Sequence, residues 1–109
     1  MQTANAALMP LDGDIEQTAI ALKAMSHPLR LKILCTLADA ELPVQDIVDA
    51  VGTTQSNVSQ HLAKLRDKQI LASRRDANKI YYRVSDERTL KLVGMMCDLF
   101  CSNKQAEQR

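Results

Sequence analysis

Only three of the 109 residues are aromatic, and no apolar run approaches 18 residues, so no segment reads as a bilayer-spanning helix. With 46% hydrophobic and 25% charged residues, the composition is that of a Leu/Ala-rich helical protein and excludes a disordered tail. Residues 1–13 have no basic group ahead of an apolar stretch, and Ala6-Ala7-Leu8-Met9 is too short for a secretory core. The expected location is therefore the cytoplasm. Cysteine is scarce and odd in number, three in all, which argues against a structural disulfide framework and for residues that begin as thiols. Internal repeats and low-complexity segments are missing.

The length suits one domain near the lower end of sizes that bury an adequate core alone, so help from a second copy is expected. The net charge of +1 hides an uneven distribution. Residues 1–60 hold three basic and seven acidic groups, whereas residues 61–83 hold seven basic and two acidic ones. A local excess of +5 can attract phosphates, although a solvated charged face is the ordinary reason for such a run.

After residues 1–13, expected to be flexible, Asp14 to Met25 sets Ile15, Ala19 and Leu22 on one helical stripe. Ser26 is the expected N-cap of a second helix, with Pro28 in its first turn, through Ile33, Leu34 and Leu37 to about Asp39. Glu41-Leu42-Pro43 opens a short third helix, Val44 to Val51, which Gly52 ends. Thr53 or Thr54 caps a fourth, from about Thr54 to Lys68. Leu71–Arg75 and Lys79–Val84 read as a β-hairpin turning at Asp76-Ala77-Asn78. Ser85 caps a last helix, Asp86 to about Ser102, and residues 103–109 form a flexible tail. That last helix carries Leu90, Gly94, Cys97 and Cys101 on one side and Leu92, Met95, Met96 and Leu99 on the other. A helix apolar nearly all round is buried twice, once on its own domain and once on a partner, which predicts a homodimer.

The fourth helix buries Val58, Leu62 and Leu65 and turns Ser56, Gln60, Ala63 and Lys64 outward, flanked by Asn57 and Ser59. Hydroxyl and amide groups on such a face can bond base edges in a major groove. Helix, glycine turn, helix at this spacing is the helix-turn-helix arrangement, and the hairpin supplies a basic wing. The predicted fold is a mainly α winged helix-turn-helix over residues 14–102. The candidate contacts to double-stranded DNA are Gln55, Ser56, Asn57, Ser59, Gln60, His61 and Lys64 on the helix, and Arg74, Arg75 and Lys79 on the wing. His61 falls at the edge of the apolar face, where it packs or meets a phosphate. No catalytic residue, metal site or cofactor is expected.

Residues Ala24 to Leu34, Gln55 to Arg66 and Lys79 to Val84, in that order, resemble the ArsR/SmtB family of metalloregulatory repressors, with Ser56-x-x-Ser59-x-His61-Leu62 as the core signature. The likeness covers roughly residues 15–101. It implies a homodimer through the terminal helices and a repressor that leaves its operator when an inducer binds. Metal-sensing members place a Cys-x-Cys pair at the start of the third helix, where this chain has Pro43 and Gln45, or histidines and carboxylates along the last helix, which here has no histidine. Zinc wants several such ligands together, so a zinc sensor is not expected. Cys35 and Cys101, 66 residues apart, instead resemble the thiol pair of the sulfide- and oxidant-sensing branch typified by the BigR, SqrR and HlyU repressors. The resemblance implies a disulfide or polysulfide bridge between two helices that releases DNA. Cys97 departs from the two-thiol pattern and stands as a packing residue, a competing partner for Cys35 or a third ligand. Arsenite or another thiophilic ion held by Cys35, Cys97 and Cys101 is the alternative inducer. A thiol enzyme using Cys101 lacks an activating base, since the only histidines, His27 and His61, have other places. A pure protein-interaction module would show no salt-dependent binding to any duplex.

Overall fold

The computed structural model describes residues 11–107, and the side chains of residues 11–100. Helix α1 runs over Asp12–Met25, α2 over Pro28–Leu37, α3 over Val44–Val51, α4 over Gln55–Asp67 and α5 over Glu87–Glu107. Strands β1 (Leu42–Pro43), β2 (Leu71–Asp76) and β3 (Lys79–Val84) form an antiparallel sheet in the order β1-β3-β2. The winged helix-turn-helix architecture predicted from the sequence is the one observed.

Three helices meet over the sheet because each has an apolar stripe at helical spacing. Ile33, Leu34 and Leu37 of α2, Ile47 and Val51 of α3, and Val58, Leu62 and Leu65 of α4 are buried together. Leu71, Tyr82 and Val84 close the core from the hairpin, and Val93 closes it from α5. Fully burying a side chain of this kind contributes about 1.5–3 kcal/mol, so the three on α4 alone hold that helix firmly. No polar side chain among the described residues is buried.

Local signals set most boundaries. Gly52 takes the left-handed conformation, φ 77°, that ends α3 and turns the chain into α4. The Lys32 ammonium donates to the Val51 carbonyl at 3.1 Å, placing a cation at the negative end of α3. Thr54 caps α4 by accepting from the Asn57 amide at 3.1 Å.

Other boundaries differ from expectation. His27, not Ser26, caps α2: its Nδ1 accepts from the Leu29 amide at 3.1 Å, with Pro28 following as the first helical residue. Helix α2 stops at Leu37 because Ala38 turns to φ 48°, a conformation no local residue advertises. Asp86, not Ser85, caps α5, its Oδ1 accepting from Thr89 at 2.8 Å. That bond is the first cause of the lowered Asp86 pKa. Ser85 instead donates to the Gln69 carbonyl at 2.5 Å and ties the end of the hairpin to its start. Helix α1 begins at Asp12, within the stretch expected to be flexible, and α5 continues to Glu107, past the expected end near Ser102.

Two differences bear on function. Leu42 and Pro43, read only as a helix opening, pair with Tyr82 and Tyr81 of β3. Proline is tolerated there because β1 is an edge strand. The α1 stripe is not packed on its own chain: Ile15 is 51% exposed and Leu22 47%. Replacing Thr54 with Ala is expected to lower the unfolding free energy by about 1 kcal/mol, the usual cost of an N-cap. Urea unfolding followed by helical circular dichroism would read this as a shifted midpoint at constant slope.

Candidate nucleic-acid interface and thiol pair

Helix α4 is fixed on three sides, by its Thr54 cap, by the α3–Gly52 turn and by its buried stripe, so its remaining face is determined. Gln55, Ser56, Ser59, Gln60 and Lys64 are exposed on it, as expected for a surface that meets a groove. Asn57 and His61 behave differently. Asn57 is half-buried and its Nδ2 donates to Thr53 Oγ1 at 3.3 Å, so its amide supports the turn. The half-buried His61 accepts a hydrogen bond from Arg30 Nε at 3.0 Å and lies with its ring centroid 4.5 Å from that of His27. Lys64 lines a cleft of about 560 Å³ between α1 and the end of α4, together with Lys23, Arg30, Asp67 and Lys68.

The wing cations also divide. Arg75 and Lys79 are exposed near the tip. Arg74 grips Glu41 through two contacts of 2.9 Å and sits 4.7 Å above the Tyr81 ring, with Asp76 at 3.7 Å. The Arg74 hydrogen bond holds the Glu41 carboxyl below its ordinary range, and the same contact raises the Arg74 pKa. Sequence reasoning missed Glu41, since its partner is 33 residues away and the β1 pairing that brings them together has no local signature.

The thiols meet on the other side of the core. Cys35 in α2 and Cys97 in α5 form a disulfide, with Cα atoms 6.6 Å apart, inside the range such a bond requires. Both are half-buried at the edge of the core. The bond is therefore made by the residue expected as a third thiol. The expected partner, Cys101, stands one helical turn further along α5, and its side chain lies outside the described residues. Cys97 lies one helical turn after Val93, which is buried in the core.

Residues 27–73, spanning α2 through the start of β2, match the family described as bacterial regulatory protein, arsR family. The nodulation protein NolR of Rhizobium meliloti is 41% identical over 85% of this chain and 76% of its own length. The biofilm growth-associated repressor of Xylella fastidiosa is 34% identical over 82% and 78%. This chain belongs to the arsR family. Among solved structures, HlyU from Vibrio cholerae superposes with a TM-score of 0.80 at 32% identity, covering 84% of this chain and 99% of that one, and its reduced form with 0.78. The homodimeric winged helix-turn-helix domain of Mb0332 from Mycobacterium bovis follows at 0.74 and 25% identity, covering 91% and 94%.

Members of the arsR family are DNA-binding transcription regulators and not enzymes. Among the described residues no helix is long and apolar enough to cross a membrane. Closing a loop between residues 62 apart in the chain removes unfolded-state entropy equivalent to about 4 kcal/mol in the chain-entropy account. The oxidised protein is thus expected to unfold at higher urea than the reduced protein. Cys101→Ser should preserve that difference, and the double variant Cys97→Ser with Cys101→Ser should erase it.

Proposed function

We propose that this arsR-family chain is a homodimeric repressor that holds operator DNA while Cys35 and its α5 partner are thiols and releases it when they are oxidised. The carrying observation is the Cys35–Cys97 contact. It joins α2, on which α4 is seated, to α5, whose outer face is exposed at Met95 (60%), Leu99 (68%) and Phe100 (80%). With Leu11, Ile15, Ile20 and Leu22 also exposed around α1, the two terminal helices offer a large apolar surface of the kind that a second copy covers. The homodimeric Mb0332 domain and the Xylella repressor support the assembly and the sign of regulation. A solved reduced form of HlyU supports the redox reading.

In this reading Gln55, Ser56, Ser59 and Gln60 meet base edges and phosphates, Asn57 holds the turn, and Arg75 and Lys79 meet the backbone. Two α4 helices read half-sites about one helical turn apart, so a bond that shifts α5 against α2 alters their spacing. A persulfide supplies the oxidising equivalent. One thiolate takes its outer sulfur and releases the donor thiol; the second thiolate then displaces hydrogen sulfide and closes the disulfide. Cys101, one turn beyond Cys97, is the competing thiol for that second step.

The test uses a duplex selected from a random library by the reduced protein. Oxidation by a persulfide donor should weaken binding by about 5- to 150-fold, the usual range of coupling between sites, with an intact-mass loss of two hydrogens per bridge. Release by arsenite with arsenic retained in the mass would favour the thiophilic-ion reading. If Cys35→Ser released the duplex on oxidation as the unaltered protein does, the dithiol switch would be wrong.

The Glu41–Arg74 pair yields a second expectation. Glu41→Gln should free Arg74 for phosphate, tighten binding at low salt and steepen the salt dependence by about one unit of slope. The same release should appear in the unaltered protein on acidification. Because the carboxyl pKa is lowered in the fold, the pair persists below the ordinary carboxylate range and is lost only as pH falls through the lowered value.

A further inference from the structure

His61 lies in the most recognisable motif of the recognition helix, yet its acceptor nitrogen points into the protein. Arg30 makes two bonds from one guanidinium: Nε donates to His61 Nδ1 at 3.0 Å, and Nη1 donates to the Ala24 carbonyl at 2.8 Å. Ala24 is in the last turn of α1, where carbonyls have no helical partner and a cation is favourable. One side chain on α2 therefore ties the C-terminal end of α1, the helix with the unpacked apolar stripe, to the helix that faces DNA. Resting on the DNA-binding reading, we propose that His61 is a positioning residue for operator recognition, its neutral imidazole fixing α4 to α1 through Arg30.

The chemistry makes the neutral state necessary. An imidazole can accept at Nδ1 only while that nitrogen carries no proton. Protonation would remove the acceptor and set an N–H against the guanidinium at the same distance. The groups facing His61 offer no compensation. His27 and Arg30 face it from the start of α2, and Lys64 faces it from α4 itself. From α1 comes the Ala24 carbonyl, already taken by Arg30, with Lys23 in the adjoining cleft. Asp67, the carboxylate in that cleft, shares it with Lys64 and Lys68. Burial first, and then His27, Arg30 and Lys64, lower the His61 pKa from its ordinary value. The His27 Nδ1 is likewise occupied, accepting from the Leu29 amide.

The sign of the pH effect separates this role from a phosphate contact. A histidine touching phosphate gains a charge on acidification and binds tighter. With a lowered folded pKa, the linked conformation is complete above the ordinary imidazole range and is lost as pH falls from there through the lowered value. Operator affinity of the reduced protein, measured on the selected duplex between about pH 8 and pH 5.5, should fall about tenfold, a typical coupling. The fall should track the His61 imidazole resonances in an NMR titration of the same protein. In His61→Asn the amide oxygen takes the place of Nδ1, still accepts from Arg30 and does not titrate, so binding should be largely retained at the upper pH and nearly flat with pH. His61→Leu should bind more weakly throughout. Tightening on acidification, a flat profile for the unaltered protein while His61 titrates, or an undiminished fall in His61→Asn would each overturn the proposal. The absence of salt-dependent binding at the upper pH would overturn the DNA-binding reading and this one together, whereas those three outcomes strike only this one.

Discussion

Burial of Val58, Leu62 and Leu65 against α2 and the hairpin is the constraint on which the rest depends. A helix with three fully packed residues at i, i+4 and i+7 cannot rotate about its axis without exposing apolar area at about 25 cal/mol per Å². Its opposite face is therefore set by the packed one, and Ser56, Ser59 and Gln60 face outward because Val58 and Leu62 face inward. The side chains that would read DNA contribute nothing to this positioning. They are free to be chosen for recognition because the core has already decided where they stand.

Helix α2 is the hub through which other influences reach that face. Ile33, Leu34 and Leu37 pack under α4, Lys32 fixes the end of α3, Arg30 grips His61, and Cys35 bonds Cys97. These groups leave one ten-residue helix on different sides, so a change at the thiol is a change in the body that carries the recognition helix. The same helix lies between two surfaces that a second copy would cover, the outward faces of α1 and α5. In the proposed function, a switch located there would act on the relation between subunits and would need no contact with DNA.

Much of this was legible in the sequence because it is local. The apolar spacing of α4, the glycine after α3, the threonine cap and the alternating hairpin each announce themselves within a few residues. The misses are non-local or depend on side-chain reach. Strand β1 exists because Leu42 and Pro43 find Tyr82 and Tyr81 across the fold. The capping of α2 by His27 instead of Ser26 is a choice between adjacent residues that either could fill. The resemblance implied a Cys35–Cys101 pair, whereas the bond runs from Cys35 to Cys97, one turn earlier on α5. Spacing along a helix places both cysteines on one stripe, so it does not by itself choose between them.

The charge pattern shows why counting residues over-predicts a binding surface. The +5 segment includes Arg74, and the chain as a whole includes Arg30, yet both guanidiniums are committed internally, one to a carboxylate and one to an imidazole and a carbonyl. Arginine suits such work because its planar fork makes several directed bonds while its charge is permanent. Lys64, Lys68 and Lys79, with Arg75, stand outside, and a lysine there is a mobile point charge that can follow a phosphate without being oriented first. The net basic excess thus separates into a structural fraction, which holds the wing and the recognition helix in register, and a solvent-facing fraction available to an anionic partner. In the proposed function, affinity would depend on the second only so long as the first is intact, and both internal arginines are held by partners that change state with acid. Proton uptake by Glu41 would release a cation to the surface, while proton uptake by His61 would loosen the helix the surface is built on, so acid would push the two fractions in opposite directions.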